Sequence, residues 1–350
     1  MRLACRATRE SSARDKLQCS LLLVREVSKR KSLQISVVIG VRNGGEQIVK
    51  TIRSVCAQRN VVLECIVVDD GSSDNTAERI AVLCAADQRV RLFRQRASGL
   101  TRALITGCAE ARAPLIARID AGDLMLAGRL ERQCAVLNDH PWIHVLSSQF
   151  RECGPDDAIL SHGPGEQVGQ ITDLTEQQRS AKVGSLSGIA HICVCFRTAT
   201  YRRSGGYRPQ FALAQDVDLW ARMAQFGAIA RLEEVLTVSW VNVNGLSPNH
   251  HRTQLRLREI ATAAVEVRAR GGDEQALLRE ALLVSHTALN GEGGARGAAA
   301  YYVASRLAHA GDPIAALALY RLAVQLEPIS PRHLVGYLLA SLRHVAFRKE

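Results

Sequence analysis

Short apolar runs alternate with helically spaced segments over the first third of the chain. Ile35 to Ile39 is apolar and β-branched, broken only by Ser36, which predicts a strand buried on both faces. Asn43-Gly44-Gly45 breaks that run, and Ile48, Ile52 and Val55-Cys56 then share one helical face. Leu63 to Val68 predicts a second buried strand, which stops at Asp69-Asp70-Gly71-Ser72-Ser73-Asp74. Ser73 or Asp74 is placed to cap a helix running through Ile80 and Leu83. Val90 to Phe93 predicts a third strand, Gly99 to Ala111 a helix, and Pro114 to Ile119 a fourth strand ending in Asp120-Ala121-Gly122-Asp123.

Strand–helix alternation of this kind implies an α/β fold, a mostly parallel sheet with helices on both faces. In such sheets ligands bind in a crevice at the carboxyl ends of the strands. Three of those ends carry polar clusters here: Arg42-Asn43, Asp69-Asp70, and Asp120 with Asp123. A buried strand needs no carboxylate for its stability, so their convergence argues for a binding crevice.

Residues 150–185 are rich in glycine and polar residues and lack a period, which predicts a long loop or irregular insertion. His191 to Phe196 predicts a strand, with Cys193 and Cys195 on one of its faces. A helix is expected from near Asp216, carrying Leu219-Trp220 and Met223 inward. From about residue 253 alanine, leucine and arginine dominate between glycine breaks, which predicts helical hairpins. Residues 297–327 resemble one degenerate tetratricopeptide-like unit, although such repeats need about three copies to bury a core. The expected organisation is a basic tail over 1–32, a sheet domain over 33–250 and an α-helical region over 251–350.

The chain of 350 residues carries a net charge of +11, which favours anionic partners or a solvated basic surface. Aromatic residues make up only 4%, and no helix-turn-helix or zinc signature occurs, so nucleic acid is not an expected partner. None of the ten cysteines forms a C-x-x-C pair, and most sit in apolar runs, as buried free thiols in a reducing compartment do. No apolar stretch reaches the ~18 residues a membrane span requires. The run Leu21 to Val24 is too short and too flanked by charge for a signal peptide. A cytoplasmic protein is expected.

Several segments, in order, resemble family-2 glycosyltransferases. They are Ile35 to Asn43, Val67 to Asp74, Gly99 to Leu104, Ile116 to Asp123, Arg129 to Gln133, Gly205-Gly206-Tyr207 and Gln215 to Trp220. The resemblance covers roughly residues 33–250. It implies the Rossmann-like GT-A fold of nucleotide-diphospho-sugar transferases. It also implies transfer of a hexose or N-acetylhexosamine from a nucleotide sugar to a glycan or lipid-linked acceptor, as in polysaccharide assembly for the cell envelope. Contact of the basic helical region with the inner membrane surface, where lipid-linked acceptors sit, belongs to the same expectation.

The resemblance places donor-nucleotide contacts at Val41, Asn43, Asp70, Arg102 and Asp120. A carboxylate at Asp70 can accept a ring N–H of the base, and an arginine such as Arg102 or Arg118 suits phosphate oxygens. Asp120 and Asp123 are the expected ligands of a Mg²⁺ or Mn²⁺ ion, both hard cations that prefer oxygen. The sequence departs from the family pattern at Gly122, where a metal-binding carboxylate is usual, and at Gln215, usually a glutamate. Asp216 is the expected general base of an inverting reaction, and His191 and Trp220 the expected acceptor wall. Gly122, Gln215, Gly40 and Arg42 favour the alternative of a degenerate transferase fold that works as a scaffold through its helical region.

Overall fold

The computed structural model describes residues 32–154, 159–161, 170–174, 189–241, 250–290, 296–309, 313–328 and 330–347. All but one residue of the expected basic tail, and much of the 150–185 segment, lie outside these. The sheet contains β1 (Ile35–Val41), β2 (Leu63–Asp70), β3 (Val90–Gln95), β4 (Leu115–Arg118), β5 (Leu124–Met125), β6 (Ile143–Cys153), β7 (Ile159–Ser161), β8 (Ile171–Asp173), β9 (Cys195–Arg197) and β10 (Ala228–Trp240). The main path runs β3-β2-β1-β4-β9-β6-β10-β5, with β7 on β6 and β8 on β10.

The first four strands are parallel to one another, as helical crossovers require. Beyond β4 the sheet is mixed. β9 runs antiparallel between β4 and β6, β6 and β10 are parallel, and β5, β7 and β8 add antiparallel edges. The expected strand over 191–196 is shorter than its sequence suggests: His191–Cys193 forms a 3-10 turn, and the strand starts at Cys195.

Alternation along the strands divides the core between the two faces of the sheet. Ile35, Val37, Ile39 and Val41 pack with α1 (Gly45–Cys56), α2 (Thr76–Ala86) and α4 (Arg129–Asp139). Val38, Ile66 and Val68 pack with α3 (Leu100–Ala109), α5 (Thr198–Arg203) and α6 (Gln215–Met223). Gly40 lets α3 pack close on this face: a Cβ there would stand 2.8 Å from Leu100 Cδ1 and make that side chain shift.

The helical region comprises α7 (His251–Ala269), α8 (Gln275–Asn290), α9 (Arg296–His309), α10 (Pro313–Leu326) and α11 (Pro331–Phe347). The α9–α10 hairpin is the tetratricopeptide-like segment. Its Ala304, Leu307, Ala316 and Tyr320 share a core with Ala340 of α11. No helix among the described residues is long and apolar enough to cross a membrane. The described cysteines are all free thiols.

Candidate active site

The polar crevice forms where β1, β2 and β4 end. Val41 is buried there, paired with Asp69 across the parallel ladder. Asn43 adopts a left-handed φ of 54°. It stitches the first two strand ends together, its N–H donating to Ser72 Oγ at 2.9 Å and its Oδ1 accepting from the Ser73 N–H at 2.9 Å.

The neighbouring carboxylates have different surroundings. Asp70 Oδ1 accepts from Gln95 Nε2 at 2.7 Å, the Ser98 N–H at 2.8 Å and Ser98 Oγ at 3.2 Å, while Oδ2 accepts from the Gly99 N–H at 2.8 Å. Asp70 therefore ties the loop before α3 to β2, and only Oδ2 keeps an acceptor site for a ligand. Asp69 is fully buried, and its Oδ1 accepts from the Ser72 N–H at 3.0 Å. Its Oδ2 lies 3.4 Å from Arg94 Nε without hydrogen-bond alignment. Arg102 stands exposed in the first turn of α3. With Gln95, Arg96, Ser98, Ile105 and Thr106 it lines a shallow depression beside the loop that Asp70 holds.

At the end of β4 the chain turns through Asp120 and Asp123. One polar face of α1, with Gln58 just past its end, fixes this turn. Thr51 Oγ1 accepts from the Gly122 N–H and donates to the Asp123 carbonyl, both at 2.9 Å. Ser54 Oγ accepts from the Met125 N–H at 3.1 Å, and Gln58 Nε2 donates to the Leu126 carbonyl at 2.9 Å. Gly122 has φ +107°, which L side chains rarely adopt, so this turn suits a glycine.

Asp120 is ion-paired with Arg118. Asp123 is buried and pushed up to about 7, first by loss of water and then by the Asp120 charge. Ser239 and the Trp240 backbone, at the end of β10, hydrogen-bond it and oppose that rise. Among the described residues no three side chains of His, Cys, Asp or Glu come together as a metal site. Two adjoining carboxylates still fit a magnesium-like ion, which is commonly held by one or two carboxylates plus substrate phosphates.

Arg118 is the hub of the crevice. It is almost wholly buried, and its Nε has no hydrogen-bond partner. Its charge reaches Asp123, His191, Tyr207 and Asp216. His191 Nε2 lies 2.7 Å from Tyr207 Oη, and its ring lies 5.9 Å centroid to centroid from that of Trp220, nearly perpendicular to it. Desolvation, then Arg118, hold this imidazole neutral, well below its ordinary 6.5. Trp220 is buried against Phe196, and its Nε1 lacks a partner.

Asp216 occupies the first turn of α6. Loss of water raises its carboxyl above the ordinary 3.8. Arg258, the Val217 and Asp216 backbone N–H groups and Arg118 oppose the rise. Gln215 beside it is buried with Oε1 unpartnered. Asp218 is structural, paired with Arg222 at 2.6 Å and Arg208 at 3.6 Å. The fold thus gathers Asp120, Asp123, His191, Asp216 and Trp220 around Arg118, with Val41, Asn43 and Asp70 at the adjoining strand ends and Arg102 farther out.

One organising residue escapes sequence reasoning. Arg129 has no exposed surface and donates to the Arg118 carbonyl at 2.8 Å, Thr237 Oγ1 at 3.0 Å and Gln133 Oε1 at 3.3 Å. Its place in the Arg129 to Gln133 segment, between apolar helix positions, is the only sequence signal.

Residues 36–203 match the model of Glycosyl transferase family 2. The chain is 29% identical over 202 residues to the putative glycosyltransferase EpsE of Bacillus subtilis, covering 55% of this chain and 68% of that protein. It is 22% identical over 201 residues to the chondroitin synthase of Pasteurella multocida, covering 57% of this chain and 20% of that one. An uncharacterized glycosyltransferase of Rickettsia conorii is 29% identical over 227 residues, and the chain spans 36% of its length. The solved structure of S. aureus TarS residues 1–349 superposes with a TM-score of 0.52 at 14% identity, covering 91% of this chain and 92% of that one. TarS has also been solved with UDP and with UDP-GlcNAc. Strand-end carboxylates, a mixed sheet of the GT-A kind and the matched segment agree: residues 36–203 form a domain similar to those of Glycosyl transferase family 2.

Proposed function

We propose that the protein is an inverting glycosyltransferase that moves a hexose or N-acetylhexosamine from a nucleoside-diphosphate sugar to a hydroxyl of a glycan or lipid-linked acceptor. The observation that carries this reading is Asp216, a carboxylate raised by desolvation in the crevice that also holds Asp120 and Asp123. A base of raised pKa is better matched to proton abstraction near neutral pH. In this reading Asp216 takes the acceptor proton as the hydroxyl oxygen attacks the anomeric carbon, and the bond to the diphosphate breaks on the opposite face.

The nucleotide would lie across the ends of β1 and β2, by Val41, Asn43 and Asp70, with Arg102 and Arg118 offered to the phosphates. Asp120 and Asp123 would hold Mg²⁺ or Mn²⁺, which stabilises charge on the leaving diphosphate. His191 and Trp220 would form the acceptor wall, the neutral imidazole serving as a hydrogen-bonding group and not as a charge. The TarS complexes with UDP and UDP-GlcNAc support a nucleotide-sugar donor. Contact with an anionic membrane surface is supported by the net charge of +11 and by an exposed apolar stripe on α11: Leu334, Val335, Leu338 and Leu339.

The test is titration of the purified protein with UDP, GDP, dTDP and CDP, with and without Mn²⁺, followed by transfer assays on wild type and Asp216→Asn. Binding of one nucleotide by both proteins, with transfer lost only in the variant, is expected. Transfer at the wild-type rate by the variant would remove Asp216 as base. No nucleotide bound by either protein would favour the scaffold reading, to which Gly122 and the engaged Asp70 lend weight.

A further inference from the structure

Among the described residues three arginines are buried: Arg118, Arg129 and Arg222. Arg129 directs its donors to Gln133, Thr237 and the Arg118 carbonyl. Arg222 directs its own to Asp218 and to the carbonyls of Ser204 and Gly206. Of the three, Arg118 alone keeps a buried donor without a partner, its Nε. Its Nη2 donates to Asp120 Oδ1. The Arg118 backbone is held on three sides. Its N–H donates to the Val194 carbonyl at 3.0 Å, its carbonyl accepts from Arg129 at 2.8 Å, and it pairs with Val38 across the parallel ladder. The guanidinium is thus presented to the Asp120 turn from a rigid base.

The Arg118–Asp120 pair is lopsided. The arginine side chain is 3% exposed and the aspartate 41%. A buried guanidinium with an unfilled donor gains from any further acceptor, and its carboxylate partner faces solvent, where a ligand can reach it. The second carboxylate of the turn, Asp123, is also committed within the chain, hydrogen-bonded by Ser239 and the Trp240 backbone. Gly122 between them brings no side chain, and among the described residues no third His, Cys, Asp or Glu completes a metal cluster. A divalent cation arriving alone must take Asp120 from Arg118, stand beside the guanidinium it displaces and leave that buried charge unpaired. With a diphosphate present the guanidinium gains phosphate oxygens, which suit an arginine, and the orphan Nε is a donor already waiting for one.

We propose that Arg118 is an internal counter-ion of the donor site: it holds Asp120 until a nucleoside diphosphate takes over the guanidinium, so that divalent cation and nucleotide bind together. The proposal rests on the reading of the crevice as the nucleotide site and of Asp120 and Asp123 as cation ligands. By linkage each ligand raises the affinity for the other by the same factor, about 5–150-fold for coupled sites. Removing Arg118 frees Asp120, so Mn²⁺ alone binds more tightly while metal-free nucleotide binds more weakly. Those opposite signs mark a counter-ion, since a site merely loosened by the substitution would lose affinity for both.

The experiment is calorimetric titration of the full-length protein with Mn²⁺ alone and, in EDTA, with whichever of UDP, GDP, dTDP and CDP the wild type binds. In Arg118→Met the expected result is Mn²⁺ bound at least about fivefold more tightly and nucleotide at least about fivefold more weakly, with Arg118→Lys returning both towards wild type. Mn²⁺ bound no more tightly by Arg118→Met overturns the proposal, as does a change of both affinities in the same direction. Should Arg118→Met fail to fold, Asp120→Asn decides, at a side chain that is part-exposed. Metal-free nucleotide should then bind more tightly than in wild type, and by more than in Asp123→Asn, which removes a neighbouring carboxyl without releasing Arg118. Equal affinities in the two variants overturn the proposal. A wild type that binds none of the four nucleotides, with or without Mn²⁺, overturns it together with the reading on which it rests.

Discussion

Replacing Arg129 tests whether the crevice is held from beneath by a buried cation. Its guanidinium bonds the Arg118 carbonyl, Thr237 Oγ1 and Gln133 Oε1, with the Val194 carbonyl at 3.5 Å. These groups lie on β4, β10, α4 and the segment before β9, so one side chain spans the sheet beneath the Asp120 turn. Burial pulls its pKa down, but an arginine remains charged. Each hydrogen bond to a charged group contributes about 1.5–3 kcal/mol, and each buried polar atom left without a partner costs about 1–3 kcal/mol. Against this, Arg129→Met relieves the desolvation of a buried charge. The unpaired acceptors, less that relief, leave a net cost of about 3–5 kcal/mol, as for breaking a buried hydrogen-bond network. At about 2–4 °C per kcal/mol, the variant should melt roughly 6–20 °C below wild type in a calorimetric scan. Arg129→Lys keeps the charge but cannot span the same acceptors with one ammonium, so it should fall between the two. A melting temperature of Arg129→Met within about 1 °C of wild type would show that the network contributes nothing net, and the reasoning would fail.

Two further outcomes are expected. Gly122→Asp restores the usual family carboxylate but must adopt φ +107°. A Cβ there meets only Gln47 Oε1 at 3.4 Å, so backbone conformation and not space sets the cost, at about 1–3 kcal/mol. A chemical denaturation midpoint equal to that of wild type would mean the turn can relax. Wild-type protein should sediment with vesicles containing phosphatidylglycerol, and Leu338→Glu with Leu339→Glu should abolish this, since both leucines are more than half exposed. Equal sedimentation of the double variant would exclude the α11 stripe as the contact.

The parallel half of the sheet was legible because β1 and β2 are buried on both faces, so their residues read as apolar runs interrupted only at Ser36 and, before the terminal carboxylates, at Glu64. β10 was not. Its charges at Arg231, Glu233 and Glu234 and its three register shifts against β6 disguise a thirteen-residue strand. That strand brings Ser239 and Trp240 to Asp123, and so shapes the Asp120–Asp123 side of the crevice. His191 was read as part of a strand and not of a 3-10 turn, since a three-residue turn has no period. Thr51 and Ser54 lie on one face of α1 and Gln58 just past its end, but their role became visible only once the Asp120 turn was seen against α1. Asp70 shows the limit of motif reading. A motif names a carboxylate, while the donors contacting it decide how much of it is left for a ligand, and here those donors come from residues 95–99.

The match to the family ends at residue 203, thirteen residues before Asp216. The change of composition near residue 251 marks a change of element type, from strands to helices. Packing crosses that line. Val217 and Leu257 share a core, and Ser285 bonds both Gln210 and Ala212. Farther along, Val241 packs against the core of α9 to α11, and Arg306 of α9 pairs with Glu152 of β6. A carboxylate that must meet an acceptor hydroxyl within a few tenths of an ångström needs a support whose own side chains are fixed. Thr101 supplies one side of that support through the Ala212 carbonyl at 3.1 Å, and α7 with α8 supplies the other. The loop before Asp216 is thus clamped between the sheet domain and the helices, so the helical region contributes directly to the geometry of the proposed base.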